Sequence, residues 1–420
     1  MQDHGNATPI TPMANHSTGL HAEDECKYRI DTPEGVQLED CLEFDFDNST
    51  FTSTLTAEYN LVCGRAYLQS TYQSLYMFGV FVGAPINGYL SDKYGRKSTV
   101  VLGVIAYMVI SFVSAWLPFI SLIFIARFLL GSLHAVCCYT SYILSKLIDE
   151  SPRWLIVNGR SKEALRILSK VARWHSLELP REAEMKKMIE DQDPEVQDPP
   201  QKSSMRVLHK SIIKEALVLV RTPQLRIITL IVYLDYLMGS MVYFGLSLSG
   251  GSISDNPFTY MVLSGLVEVP AYIFTSFIVQ RFGRKPTLAF FMLFSAANLL
   301  CLAVIPAAYS TTIVALAMVG KLGITAGFQT IIFYSSELFP TQVRSRGMGT
   351  SYMMSRIGSM VSPFITDLVG TIYPWAPFVI FGTGALLAGA GTFLLPETRG
   401  QVLPDTIAQL EARAREERKK

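Results

Sequence analysis

The sequence predicts an all-α membrane protein made of two helical bundles of unequal size. Three observations lead to this reading. Apolar residues gather in runs of about 20, the length that crosses roughly 30 Å of hydrocarbon. Only 17% of the 420 residues are charged while 50% are hydrophobic, against about 25% charged in an average soluble chain. A small basic turn also occurs twice, as SDKYGRKST at 91–99 and VQRFGRKPT at 279–287, each time between two apolar runs. A soluble helical protein of this composition would need many helices apolar on every face. The net charge of +1 provides no bulk attraction for nucleic acid, so the partner implied by composition is the lipid bilayer.

The runs define nine spans, near 67–90, 99–117, 119–144, 225–246, 258–279, 287–307, 311–333, 347–369 and 375–395. The first carries Gly79, Gly83, Pro85 and Gly88, residues better tolerated in membrane helices than in soluble ones. Residues 1–65 precede it and hold three Asn-X-Ser/Thr sequons, at Asn6, Asn15 and Asn48. Such sequons matter only in a lumenal or extracellular segment. Cys26, Cys41 and Cys63 lie in the same segment, and in an oxidising compartment two of the three can pair. No signal peptide is expected ahead of the segment, so the first span is expected to translocate its own N-terminus, helped by the basic turn on its far side.

Orientation follows from Lys and Arg. Lys93, Arg96 and Lys97 follow the first span; Arg281, Arg284 and Lys285 follow the fifth; Arg344 and Arg346 follow the seventh. The intervening loops near 247–257, 307–310 and 370–374 contain neither Lys nor Arg. Both GRK turns therefore face the cytoplasm. With nine spans the N-terminus is extracellular and the tail ending REERKK is cytoplasmic.

Residues 145–224 form one long hydrophilic stretch between spans. In it, SKEALRILSKVARWH places Leu165, Leu168 and Ala172 on one helical face, and MRVLHKSIIKEALVLV does the same with Leu208, Ile212 and Leu217. DQDPEVQDPP, between them, reads as a flexible acidic linker. The domains are then an extracellular glycosylated segment at 1–65, a three-span bundle at 66–144, a cytoplasmic linker with amphipathic helices at 145–224, a six-helix bundle at 225–395 and a cytoplasmic tail at 396–420.

The second half serves as a ruler for the first. It runs two spans, RFGRK, two spans, ELFPTQVRSRG, two spans and PETRG; the first runs one span, KYGRK, two spans and DESPRWL. The interval from Gly283 to Glu397 is 114 residues, and from Gly95 to Glu150 it is 55. That difference equals about two spans and a loop.

GYLSDKYGRK, RFLLG, ESPRWL, ELFPTQVR and LPETRGQVLPDTI together resemble the major facilitator superfamily, in particular its organic cation, carnitine and zwitterion transporters. VEVPAY, MVGKLGITAGF and SRIGSMVSP are most similar to the carnitine and organic cation branch, and STFTSTLTAEYNLVC resembles the end of that family's glycosylated ectodomain. The resemblance covers roughly 45–410. It implies the superfamily fold, with a complete six-helix C-terminal bundle and a truncated N-terminal bundle. Measured against the family's twelve-helix pattern, counterparts of helices 1, 5 and 6 are missing, as in a splice form or an incomplete gene model.

The turns and their neighbours make a candidate cytoplasmic gate. Gly95 and Gly283 allow tight backbone geometry, and Arg96, Lys97, Arg284 and Lys285 can meet helix C-termini and carboxylates. Asp92 supplies a carboxylate in the first copy, where Gln280 stands in the second, which predicts a weaker second lock. Glu150 with Arg153, Glu337 with Arg344 and Arg346, and Glu397 with Arg399 are the expected ion pairs. In the resembled family such pairs break and form as the halves rock. The plainer alternatives are topology anchors and solvated surface pairs of little energetic weight.

Charges inside the spans mark a candidate substrate site, because each costs about 2.5–3.5 kcal/mol near the bilayer centre. They are Arg127, Asp235, Glu268, Lys321 and Arg356. Carboxylates would attract an amine, and Arg356 could hold a carboxylate with two hydrogen bonds, a mixture suited to a zwitterion. Tyr236, Tyr243 and Phe244 add rings that could hold a quaternary ammonium. The alternative is helix packing, with the charges paired among themselves.

No enzyme chemistry is evident. The six His are scattered, Cys137 and Cys138 are adjacent without a CxxC or HExxH spacing, and no GxxxxGK[ST] phosphate loop is present. The expected function is transport of small organic cations or zwitterions, carnitine-like, across the plasma membrane by alternating access. A sugar porter is the alternative within transport. A transport-incompetent short form, or a regulatory partner of a full-length carrier, is the alternative outside it. No cofactor and no metal are expected; Na+ and H+ stay open as coupling ions, and oligomeric state stays open.

Overall fold

The computed structural model describes residues 7–9, 20–24, 26–32, 35–40, 44–46, 53–94, 96–138, 163, 165–169, 219–250, 256–306, 309–341, 343–401, 404 and 406–417. The chain divides into two compact units. One comprises residues 1–74 with 218–420, the other 75–217.

Among the described residues, each of the nine predicted spans falls on a helix. These are α2 (Tyr67–Tyr94), α3 (Arg96–Ser114), α4 (Ile120–Cys138), α5 (Pro223–Leu248), α6 (Pro257–Phe282), α7 (Arg284–Leu302), α8 (Ser310–Leu338), α9 (Arg344–Phe364) and α10 (Ala376–Thr392). By length and composition α5, α6, α7 and α8 are able to cross a membrane, and Ser98–Ser114, Ile120–His134 and Ala376–Thr392 are shorter apolar helices. Two further helices flank this set, the short α1 (Leu55–Tyr59) and a C-terminal α11 (Ile407–Glu417).

The N-terminal segment adds strands to the expected helices. β2 (Leu20–Asp24), β3 (Lys27–Thr32) and β4 (Gly35–Asp40) form an antiparallel meander, and β1 (Ala7–Pro9) pairs with β5 (Phe44–Phe46). The cause is visible in KYRIDT and GVQLED, which alternate polar and apolar residues with the strand period of two. Cys26 is disulfide-bonded to Cys63, which begins the 3-10 turn Cys63–Arg65 just before α2. Cys41 and the sequons Asn6, Asn15 and Asn48 lie outside the described residues, as does most of the linker at 145–224.

In the larger unit α5 is the central helix. Leu225, Ile228, Val232, Tyr236, Val242 and Leu246 are fully buried along it, recurring mostly every three or four residues as one helical stripe. α5 packs against α9, α10 and α8; α7 packs against α8 and α10; and α6 leans on α8. At the α5–α9 crossing a side chain on Gly358 would overlap the Leu237 carbonyl oxygen. Small residues allow backbones this close where lipid offers no hydrophobic driving force. Pro363, which lacks an amide N–H, precedes a π-helical stretch at Ile365–Val369 and a closing turn at Gly370–Ile372.

The smaller unit is built on a similar close approach. Gly79 and Gly83 of α2 face the backbone of α4 at Phe128 and Ser132, and Gly131 of α4 faces the Tyr76 carbonyl. Asn87 Nδ2 donates to the Ser132 carbonyl at 2.7 Å, and the Tyr76 hydroxyl is 2.8 Å from His134 Nδ1. α3 packs against α4.

Candidate functional site

Four of the residues singled out in the sequence meet in the larger unit. α6 places Ser264 and Glu268 one turn apart, on the face turned to α8. Lys321 reaches across from α8, its Nζ 3.0 Å from Glu268 Oε1 and hydrogen-bonded to Ser264 Oγ. From α5, Tyr243 donates its hydroxyl to the same Glu268 Oε1 at 2.9 Å. The Lys321 ammonium lies 5.3 Å from the centre of the Tyr243 ring, within cation–π range. Phe244 sets its ring against Tyr243, centroids 5.3 Å apart and nearly perpendicular.

The two charges are not equally enclosed. The Lys321 side chain is 2% exposed and that of Glu268 21%. An ammonium offers three donors, and Glu268 and Ser264 accept two of them. Burying such a pair costs desolvation that only close geometry and further hydrogen bonds offset. Tyr243 and Ser264 supply those bonds. The carboxylate is therefore the accessible charge of the cluster, and the ammonium is the enclosed one.

The other candidates lie elsewhere. Asp235 is fully buried on α5; Thr392 of α10 donates to its Oδ1 at 3.4 Å, and Oδ2 has no hydrogen-bond partner among the described residues. Tyr236, one residue on, belongs to an aromatic group. Its ring meets Phe328 and Tyr352 at 5.8 and 5.3 Å, and its hydroxyl is 3.0 Å from Ser335 Oγ. Arg356 is half-buried on α9, one turn beyond Tyr352 and so on the same helical face. Arg127 is half-buried on α4, in the smaller unit.

At the α6–α7 turn the geometry departs from the expected pairing. Gly283 has φ of +100°, and a Cβ there would lie 2.8 Å from Glu397 Oε2, so the turn needs glycine twice over. The Glu397 carboxylate caps α7, accepting from the backbone N–H of Arg284 at 3.0 Å and of Lys285 at 3.1 Å. A helix N-terminus has unsatisfied donors and favours negative charge. Arg284 forks onto Glu337 through two 2.9 Å bonds, and Thr398 donates to the same carboxylate at 2.5 Å.

Glu337 is thus bound to Arg284, where Arg344 and Arg346 were expected. Arg344 turns back onto its own loop, to the Phe339 carbonyl and the Thr341 hydroxyl. Glu397 binds backbone amides, including that of Arg399 at 2.9 Å, while the Arg399 guanidinium donates to the Arg281 carbonyl. The second turn therefore draws its carboxylates from Glu337 and Glu397, and the presence of Gln280 does not leave it without an acid. Of the first turn, Asp92 lies in the last turn of α2 and Arg96 and Lys97 begin α3, while Gly95, Glu150 and Arg153 lie outside the described residues.

Sequence reasoning passed over Ser264, Thr398 and Asp367. The first two are neutral hydroxyls with no signal in one sequence. Asp367 did carry one, being an acid inside the predicted span 347–369, and it is only 7% exposed.

Comparison with known proteins agrees with this architecture. The family model described as "Sugar (and other) transporter" matches residues 132–407, and that of the "Major Facilitator Superfamily" matches residues 46–145. The chain is 30% identical over 423 residues to an organic cation transporter-like protein of Drosophila melanogaster, covering 88% of this chain and 74% of that protein. It is 29% identical to solute carrier family 22 member 6 of Rattus norvegicus, covering 90% of this chain and 77% of that one. Among solved structures, the xylose transporter XylE from E. coli in a partially occluded inward open conformation aligns with a TM-score of 0.55 at 15% identity. That alignment covers 85% of this chain and 93% of the other, and at such identity it speaks to the fold alone. The chain is a membrane protein of the solute transporters rather than an enzyme, and it belongs to the major facilitator superfamily, within the solute carrier 22 group of organic cation transporter relatives.

Proposed function

We propose that this chain carries small organic cations or zwitterions, carnitine-like in charge, across the plasma membrane by alternating access. The Lys321–Glu268 pair carries the reading. It presents a carboxylate with an exposed edge beside Tyr243 and Phe244, and keeps its own cation enclosed behind. An ammonium group entering there would meet the exposed edge of an anion, with rings alongside. Arg356 would receive the carboxylate of a zwitterion. The relatives named as organic cation transporters support the substrate class. In this reading the N-terminus is extracellular and the GRK turns are cytoplasmic, where Arg284, Glu337 and Glu397 form the inner latch of the C-terminal bundle.

A second reading is motivated by the spacing of the two GRK turns. The interval of 55 residues from Gly95 to Glu150, against 114 from Gly283 to Glu397, leaves the N-terminal bundle two helices shorter. The chain would then be a transport-incompetent form or a partner of a full-length carrier. Uptake of labelled L-carnitine and tetraethylammonium by cells expressing this chain, with surface biotinylation, separates the two. The carrier reading expects saturable uptake of at least one probe, lost in Glu268→Gln. Normal surface expression with no uptake of any cation or zwitterion would remove the carrier reading for this chain.

A further inference from the structure

The first two turns of α2 are hydrogen-bonded to the far end of α9, within one compact unit. Ser70 Oγ donates to Asp367 Oδ2 at 2.8 Å and lies 3.4 Å from the Pro363 carbonyl oxygen. One turn on, Ser74 Oγ donates to the Met360 carbonyl at 2.7 Å. Ser70 is fully buried, and Ser74 and Asp367 are 8% and 7% exposed. Thr366 donates to the other oxygen of the carboxylate, Oδ1, at 3.0 Å.

At the α2–α4 and α5–α9 crossings glycines bring backbones together, and bonds such as Asn87 to the Ser132 carbonyl and Tyr233 to Thr350 add to that contact. The α2–α9 joint is a row of hydroxyls on a carboxylate and on carbonyls, whose bonds water replaces at small net cost once the joint opens. Between the two serines, Gln73 keeps a buried Oε1 with no hydrogen-bond partner among the described residues. Asp367 sits in the π-helical stretch Ile365–Val369, a local geometry frequent at functional sites.

We infer that Ser70, Ser74 and Asp367 form an outer latch, closed in this structure, which must break for the extracellular side to open. The inference rests on the orientation and the alternating access proposed above, and its test lets the two fail separately. Gln73→Cys is the reporter, in a full chain whose Cys41, Cys137, Cys138 and Cys301 are serine and whose Cys26–Cys63 disulfide is kept. Intact cells are treated from outside with a membrane-impermeant maleimide. Ser70→Ala and Asp367→Ala should each raise the labelling rate about tenfold, the weight of one hydrogen bond to a charged group. Ser70→Thr, which keeps the hydroxyl, should stay within about twofold of the parent. Equal rates in parent, Ser70→Ala and Asp367→Ala would overturn the latch, as would a parent already labelled as fast as the variants or no labelling in any of them. Uptake of tetraethylammonium and L-carnitine is measured alongside. Latch-dependent labelling without uptake would keep the latch and remove the carrier reading.

Discussion

Replacing Glu268 by glutamine leaves the Lys321 ammonium, 2% exposed, without the carboxylate that lies 3.0 Å away. Removing one member of a buried pair costs about 3–5 kcal/mol, because the other charge stays desolvated and uncompensated. The 21% exposure of Glu268 places this case at the low end, about 3 kcal/mol. The reverse change, Lys321→Met, leaves a carboxylate that keeps its 2.9 Å bond from Tyr243 and reaches solvent. It should cost only about 1–2 kcal/mol. The double variant removes both charges and should recover much of the loss, being less destabilised than Glu268→Gln alone. Thermal unfolding of the three purified, detergent-solubilised variants against the parent provides the double-mutant cycle. Equal losses in the two single variants, with a double variant equal to their sum within about 0.5 kcal/mol, would refute a coupled and asymmetrically buried pair.

Gly283→Ala should destabilise by about 1–2 kcal/mol, since the residue would hold positive φ and its Cβ would lie 2.8 Å from Glu397 Oε2. Gly349→Ala, in a helix with nothing within 4 Å of the new atom, should stabilise by up to about 1 kcal/mol; the two melting temperatures move in opposite directions. Arg284→Lys keeps the charge but loses the two-bond fork to Glu337; initial uptake per surface molecule should fall about three- to tenfold, with Arg344→Lys near the parent. Cys63→Ser opens the loop of sequence separation 37, worth about 4 kcal/mol on the chain-entropy account; limited proteolysis should cut the N-terminal segment first and leave α5 to α10 intact.

Part of the candidate site is legible in the sequence alone. An ionisable residue in an apolar run is conspicuous in one dimension, and Glu268 and Lys321 both stand out in this way. Their mutual pairing is not legible, because they are 53 positions apart on helices whose facing sides only packing decides. The same distance problem misassigns the partners of Glu337 and Glu397. Nearby arginines in the sequence are natural choices, yet Arg284 competes from 53 residues away and Gly283 opens space for a carboxylate 114 residues downstream.

What the sequence determined by itself is the class of architecture. Burial in lipid requires helices of a set length with satisfied backbones, and that demand is written locally, in apolar runs and in the basic turns between them. Period-two alternation in the N-terminal strands is equally local. The tertiary structure alone decided which charge is enclosed and which is open, which acid caps α7, and that α2 is tied to α9 through Ser70 and Asp367. Those choices depend on side-chain reach of a few ångströms across helix interfaces, and one-dimensional order carries no such distances.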